Sequence, residues 1–177
     1  MKNMADWITT SNWLYHEYIS ERPCSGAMDR DDRQIWWYKI GRDDDIQVGD
    51  SVLVYQTGSN DEARKEGIHI DEEIKCCFIG NFTIQGIIER NGHPERVCWK
   101  ETYDGWLETV EHPFLWPPNE FIRRIDINDN LLVIAAGWPD LSPKKVGLIF
   151  RYKTWIRLEG NEGLEYYNSV MHIRNHN

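Results

Sequence analysis

A regular alternation of apolar and polar residues marks residues 76–90 as a strand. One face of this predicted strand carries Phe78, Phe82, Ile84 and Ile88, and the other carries Asn81, Thr83, Gln85 and Glu89. Gly80 and Gly86 lie on the apolar face. Glycine at such positions is typical of a strand that bends sharply or meets another backbone closely. The pattern therefore predicts a strand at the corner of a curved sheet.

Residue type and capping residues predict the other elements. Runs rich in β-branched and aromatic residues predict short strands at residues 7–10, 34–40, 51–57, 121–127 and 155–158. Helices are predicted directly after Ser11-Asn12, at residues 140–150 and at residues 162–173. Residues 131–136 are compatible with either a strand or a helix. Residues 91–120 have no regular period and are predicted to form turns with isolated aromatic side chains.

This order of elements indicates a fold class. About six strands with two or three helices, in an order that does not alternate, favour an α+β fold with a curved or closed β-barrel over a parallel βαβ sheet. The chain has 177 residues, 41% of them hydrophobic, so residues 1–177 are predicted to form a single domain. The longest apolar run, residues 131–136, is far shorter than the ~20 residues of a membrane-spanning helix. Since residues 1–13 also lack an apolar signal core, the sequence predicts a soluble, cytoplasmic protein.

Charge is distributed unevenly along the chain. The net charge of −9 argues, by itself, against a partner as negative as a nucleic acid. Residues 41–75 hold ten acidic and four basic residues, whereas residues 142–158 hold basic residues and no acid. These basic residues are Lys144, Lys145, Arg151, Lys153 and Arg157. One surface is therefore predicted to be basic, with Lys144, Lys145, Arg151 and Lys153 as candidate phosphate contacts.

The cysteines predict reduced thiols. None of Cys24, Cys76, Cys77 and Cys98 forms a CxxC pair, and the adjacent Cys76 and Cys77 must point to opposite faces of a strand. Buried thiols in a reducing compartment are the favoured interpretation. A zinc site built from Cys98 and His93 is the alternative, but no second ligand pair has metal-binding spacing, so no metal is predicted.

Catalytic motifs are absent from the sequence. The six histidines are scattered, and no nucleophile elbow, HExxH, phosphate-binding loop or dinucleotide-binding motif occurs. The carboxylates cluster only in the acidic segment, which is more typical of a solvated face than of an acid/base pair. The sequence therefore predicts a protein that is not an enzyme and has no cofactor.

Nine tryptophans are the strongest chemical signal in the chain. Those inside or beside apolar runs are predicted to lie in the core, and they are Trp7, Trp13, Trp138 and Trp155. Trp36 and Trp37 form a doublet on a strand, so one ring faces the core and the other is free to line a pocket. Trp106 and Trp116 lie in loop-like sequence, where a large ring needs either burial or a ligand.

Such rings suit the recognition of a flat or alkylated heterocycle. Stacking one base on one aromatic ring contributes about 1–3 kcal/mol, and a cage of rings also excludes water from a methyl group. Ser11 and Asn12 are candidates for hydrogen bonds to the edge of the base, and capping of the following helix is their alternative role.

Two segments resemble a known group of domains. They are VGDSVLVYQTG, residues 48–58, and FIGNFTIQGIIE, residues 78–89, which follows after a variable loop. This pair of segments resembles the EVE and YTH domains of the PUA-like superfamily. The first strand with its polar end and following helix, the tryptophan-bearing second strand, the FIRRIDI strand and the closing helix are similar in order. The chain has Thr10-Ser11-Asn12 where EVE domains usually have a Lys-Ser pair.

The resemblance implies that the protein binds a modified, methylated base that is flipped into an aromatic cage. It implies DNA as the ligand, with RNA as the alternative. By position it implies that Trp36 or Trp37 forms one wall, and that two of Trp99, Trp106 and Trp116 form the others. It also implies a role in a restriction system, fused to or associated with a larger nuclease or motor protein such as a modification-dependent restriction protein of the McrB type. The alternatives are an ASCH-like enzyme on the same barrel and a protein-interaction domain that uses the acidic loop.

Overall fold

A computed structural model of the chain describes residues 4–11, 37–39, 45–57, 75–84, 86–90, 93–98, 116–153 and 155–176. The helix predicted after Asn12 and the acidic loop at residues 58–73 lie outside these ranges.

The described residues form an α+β fold with two sheets. The strands, in chain order, are β1 (Asp6–Ser11), β2 (Trp37–Lys39), β3 (Ser51–Gln56), β4 (Cys77–Thr83), β5 (Gly86–Arg90), β6 (His93–Cys98), β7 (Ile122–Arg123) and β8 (Trp155–Leu158). The larger sheet has the order β7-β4-β3-β1-β8 and is open, with β7 and β8 at its edges. Within it β1 and β3 run parallel, and the other neighbours are antiparallel. The smaller sheet has the order β2-β6-β5.

Three α-helices lie in the described part of the chain: α1 (Asp129–Ala135), α2 (Gly147–Tyr152) and α3 (Gly160–His176). Short 3-10 helices occur at Pro118–Glu120, Arg124–Asp126 and Pro143–Lys145. The ambiguous residues 131–136 are mostly helical because the Asn128 side chain caps α1, accepting hydrogen bonds from the Asn130 and Leu131 amides at 3.0 and 3.3 Å. None of the described helices is long and apolar enough to cross a membrane.

Both faces of the larger sheet are buried. Ile8, Leu53, Phe78 and Ile156 face the helices and belong to the main core, with exposures of 0–1%. The opposite face holds Trp7, Thr9, Val52, Val54 and Trp155, which are also buried. The rings of Trp7 and Trp155 meet edge to face at a centroid distance of 6.3 Å, so the prediction that both lie in the core is confirmed.

A β-bulge reverses part of the predicted alternation in β4. The pairing passes from Val54↔Gly80 to Tyr55↔Phe78, so Ile79 is an extra residue without a partner in β3. As a result Phe78 faces the helices, whereas Phe82, which pairs with Val52, faces the other side. The prediction that Phe78 and Phe82 share one face was wrong, because a period of two does not survive an inserted residue.

The predicted long strand at residues 76–90 is divided between the two sheets. β4 ends at Thr83 and β5 begins at Gly86. At the break, the Ile84 amide donates to the Asp50 carbonyl and the Ile84 carbonyl accepts from Gly49, each at 2.9 Å. The chain therefore passes from one sheet to the other next to the turn that precedes β3.

Two further sequence predictions need correction. Residues 121–127 form only the two-residue β7 before a 3-10 helix that begins at Arg124. The partner strand β4 begins at Cys77, because Cys76 has a φ of +59° and lies in a turn. β6 lies in a region predicted to be turns. Its Pro94 pairs beside a register shift, a position where a sheet tolerates proline, and the charged residues of β6 hid its period.

The VGD turn, residues 48–50, precedes β3 and holds the start of β1 through hydrogen bonds. Gly49 has a φ of +94°, and a Cβ there would lie 2.7 Å from the Met4 sulfur. Asp50 is only 2% exposed, and its carboxylate accepts hydrogen bonds from the Ala5 amide, the Trp7 indole and the Gln47 amide at 2.9–3.0 Å. The carboxylate of Asp50 therefore holds the start of β1 against the turn.

The ionised carboxylate of Asp6 is expected to lower the free energy of unfolding at neutral pH. Burial raises the pKa of the Asp6 carboxyl, and the neighbouring Asp50 charge raises it further. Because the pKa is higher in the folded state, the folded protein binds this proton more tightly and loses stability as pH rises through the raised pKa. Asp6→Asn is therefore expected to raise the melting temperature near neutral pH, and the gain should disappear below about pH 4. Melting curves of both proteins across this range test the expectation, and a less stable variant at neutral pH contradicts it.

Candidate nucleic-acid interface

The described residues include most of the predicted site. Ser11, Trp37, Trp116, Lys144, Lys145, Arg151 and Lys153 lie within the described ranges. Asn12, Trp36, Trp99 and Trp106 lie outside them.

Ser11 is the last residue of β1 and lies at one end of the larger sheet. It pairs with Gln56, the last residue of β3, which in turn pairs with Cys77, the first residue of β4. Because β1 and β3 are parallel, their carboxyl ends emerge at the same edge. We call this end of the sheet, where β1 ends at Ser11 and β3 ends at Gln56, the Ser11 end.

The basic residues lie on a segment that is anchored by its apolar side. Lys144 and Lys145 are exposed on the 3-10 helix before α2, and Lys153 is exposed just after α2. Arg151 lies within α2. Between these positions Val146, Ile149 and Phe150 are buried in the core. We call residues 142–153 the basic segment.

One aromatic contact joins the basic segment to the larger sheet near the Ser11 end. The Phe150 ring stacks on the Tyr55 ring with a centroid distance of 4.1 Å and an interplanar angle of 23°. Tyr55 pairs with Thr10, the residue before Ser11. Phe150 is therefore held beside the end of the pairing between β1 and β3, one residue before Ser11 and Gln56.

A partly buried polar cluster supports this contact. The Arg124 guanidinium donates to the Tyr55 hydroxyl at 3.2 Å, lies 5.8 Å from the centre of the Phe150 ring and forms an ion pair with Asp129 at 3.4 Å. Burial raises the pKa of Tyr55, although the Arg124 charge opposes this, so the phenol stays protonated. Burial also raises the pKa of Asp129 against the effect of Arg124. With its charge engaged by Asp129, Arg124 is placed to orient the two rings rather than to meet a phosphate.

Trp116 is held within the core on the helix side of the sheet. Its ring is 3% exposed, its indole N–H donates to Asn81 Oδ1 at 2.7 Å, and the Arg174 guanidinium lies 4.8 Å from the ring centre. Its backbone amide also donates to the Ile79 carbonyl at 2.8 Å. These contacts give Trp116 a structural role in the free protein.

Trp37 lies in the smaller sheet. It pairs with Cys98, which on its other side pairs with Gly86. Gly86 is the first residue of β5, so the backbone of Trp37 lies in the row of the smaller sheet closest to the break after β4.

The two described cysteines, Cys76 just before β4 and Cys77 at its first position, match the expectation of reduced thiols. Cys77 is free and 1% exposed, and Cys76 is free and half-buried. Burial raises the pKa of the Cys77 thiol to about 11, with a smaller contribution from Cys76. Cys77 is therefore an unreactive thiol at neutral pH. Among the described residues no three potential metal ligands lie together.

A separate groove of about 670 Å³ lies between the start of α1 and α3. Its polar lining includes Asp126, Asn128, Glu165 and His172. The two carboxylates repel a polyanion, so this groove is not a candidate for the same interface.

No model of a known protein family matches the chain, and no curated protein matches it.

Proposed function

We propose that the protein is a nucleic-acid-binding module that recognises a modified, methylated base flipped into an aromatic pocket. The observation that supports the proposal is the stacking of Phe150, within the basic segment, on Tyr55, which pairs with the residue before Ser11. A flipped base needs phosphate contacts close to the pocket, because the backbone on either side of the base must be held while the base leaves the stack.

Two groups of residues have different roles in this complex: one contacts the phosphates and the other contacts the base. Lys144, Lys145, Arg151 and Lys153 contact phosphates and position the strand, and they carry no information about the base. Ser11 and Asn12 hydrogen-bond to the base edge, and the rings of the pocket come from Trp36 or Trp37 and from Trp106. Trp116 supports the sheet from the helix side in this arrangement.

A curved, PUA-like barrel is part of the proposal. Its support is the passage of the chain from β4 into β5, and so from one sheet to the other, within the two residues between Thr83 and Gly86. A closed or nearly closed sheet gives an inner face that water does not reach, which is the environment a stacked and hydrogen-bonded base requires. We propose DNA as the ligand before RNA, and a larger nuclease or motor protein as the fused or associated partner.

Because the protein is acidic overall, a nucleic acid is expected to bind only where cations are concentrated. With −9 overall, most of the surface repels a polyanion, and binding depends on a local basic field. Removing two cations from the basic segment should therefore have a large effect on any nucleic-acid complex.

The double variant Lys144→Gln, Lys145→Gln is expected to weaken binding of modified and unmodified duplexes by about the same factor. If both lysines contact phosphates, the slope of log affinity against log salt concentration should fall by about 0.9 for each. Fluorescence anisotropy at several salt concentrations measures this, with duplexes that contain methylated adenine, methylated cytosine or no modification. Trp37→Ala should instead remove the preference for the modified duplex and leave the salt slope unchanged, because stacking releases no counterions.

Arg157→Gln is the matched control for charge. Arg157 pairs with Trp7 near the start of β1, far from the Ser11 end, and its side chain is 43% exposed in an ion pair with Asp45. It should leave the affinity and the salt slope nearly unchanged. If Arg157→Gln and the double lysine variant behave alike, or if no duplex binds better when modified, the proposed function is wrong.

A further inference from the structure

The face of the larger sheet opposite the helices contains a row of small residues. Thr9, Val54 and Gly80 lie side by side on β1, β3 and β4. The adjoining row consists of larger side chains, Trp7, Val52 and Phe82. Beyond Thr9 the row continues on β8 with Trp155, so the small residues form a trough across three strands that ends at this ring. The trough spans roughly 10 Å, since neighbouring strands lie about 4.8 Å apart, and this length suits a flat heterocycle.

The polar group in this trough is unusual. Thr9 is 0% exposed, and its hydroxyl forms no hydrogen bond with the residues that the structure describes. A buried hydroxyl without a partner destabilises a protein, and valine has nearly the same shape without that group. Position 9 therefore carries a polar atom that the described fold does not use.

We infer that the trough is the floor of the base pocket and that the Thr9 hydroxyl hydrogen-bonds to the edge of the bound base. This inference depends on the proposed function. The trough lies on the face opposite the basic segment, and Thr9 precedes Ser11 by two positions on β1. A base therefore has to enter the trough from the Ser11 end, where the two faces of the sheet meet. A hydroxyl donates or accepts a hydrogen bond, so it can meet either type of group on a base edge. Thr9 and Val54 are fully buried in the free protein, and binding must displace the side chains that cover them.

Three variants test the role of Thr9. Thr9→Val should lower the affinity for the preferred modified duplex by roughly tenfold, because the base edge loses its partner in a dry site. The same variant should melt at the wild-type temperature or a few degrees above it. Thr9→Ser keeps the hydroxyl and should retain most of the affinity. Thr10→Val makes the same chemical change at the next, half-buried position of β1, and should leave binding unchanged.

The outcomes separate this inference from the proposed function. Anisotropy gives the affinities, and melting curves without nucleic acid give the stabilities. If Thr9→Val binds like wild type while the double lysine variant binds weakly, Thr9 is not a base contact and the proposed function stands. A clearly lower melting temperature for Thr9→Val assigns the hydroxyl to the fold and overturns the inference. Absence of any modified-base preference in the wild-type protein overturns both.

Discussion

Replacing Trp116 by alanine is expected to lower the free energy of unfolding by roughly 3–5 kcal/mol, the usual loss when a buried aromatic ring leaves a cavity. Trp116 is 3% exposed and packs in the core that includes Tyr166 and Val170. The change also leaves the Asn81 carboxamide and the Arg174 guanidinium without the indole. Urea denaturation followed by circular dichroism measures the loss. Binding of nucleic acid should fall only as far as the folded fraction falls.

Trp116→Phe is the matched control for this prediction. Phenylalanine keeps most of the apolar volume and a ring for Arg174, but it removes the N–H that bonds to Asn81. Its loss of stability should be well below that of Trp116→Ala. A wild-type unfolding midpoint for Trp116→Ala, together with lost preference for a modified duplex, contradicts the structural role and makes Trp116 a wall of the pocket.

Asp50→Ala is expected to lower the free energy of unfolding by roughly 3–4 kcal/mol. The Asp50 carboxylate accepts hydrogen bonds from the Ala5 amide, the Trp7 indole and the Gln47 amide. A hydrogen bond to a charged group contributes about 1.5–3 kcal/mol, and three donors lose their acceptor together, with less than full additivity. Thermal and urea unfolding of the purified variant measure the effect.

Asp50→Asn separates charge from geometry. The Asp50 Oδ2 atom accepts from both Trp7 and Gln47, and an amide nitrogen in its place faces two donors. A rotated carboxamide instead turns its nitrogen toward the Ala5 amide. The Asn variant should therefore lose nearly as much stability as the Ala variant. Asp45→Ala, which removes an exposed carboxylate from the ion pair with Arg157, should lose less than about 1 kcal/mol. Similar losses for the changes at positions 45 and 50 contradict the role assigned to the buried carboxylate.

Local sequence patterns predicted the elements whose stability is decided within a few residues. β3 and β8 were predicted almost to the residue, because β-branched and aromatic residues are bounded there by turn residues. The last helix was predicted at residues 162–173 and spans Gly160–His176. The exposure of Lys144, Lys145 and Lys153 also followed from the pattern of charge.

Features set by tertiary pairing could not be predicted in this way. The bulge at Ile79 depends on how β4 pairs with β3, and it moved Phe82 to the other face. β6 is defined by strands on both of its sides rather than by its own residues. For the candidate site, no local signal links Phe150 to Tyr55, because this contact depends on how α2 packs on β3. No local signal reveals that the Thr9 hydroxyl is buried either, because its burial depends on the pairing of β1 within the sheet.

The position of β1 between β3 and β8 has a consequence for synthesis on the ribosome. β1 pairs with β8 through Asp6↔Leu158, and with β3 through Asp6↔Ser51. During translation, therefore, β1 can pair with β3 early, but its other edge has no native partner until β8 has been synthesised. Until then one edge of β1 is open to pairing with other chains. Such non-local pairing is slow to form, so aggregation during expression should depend on how quickly β8 emerges.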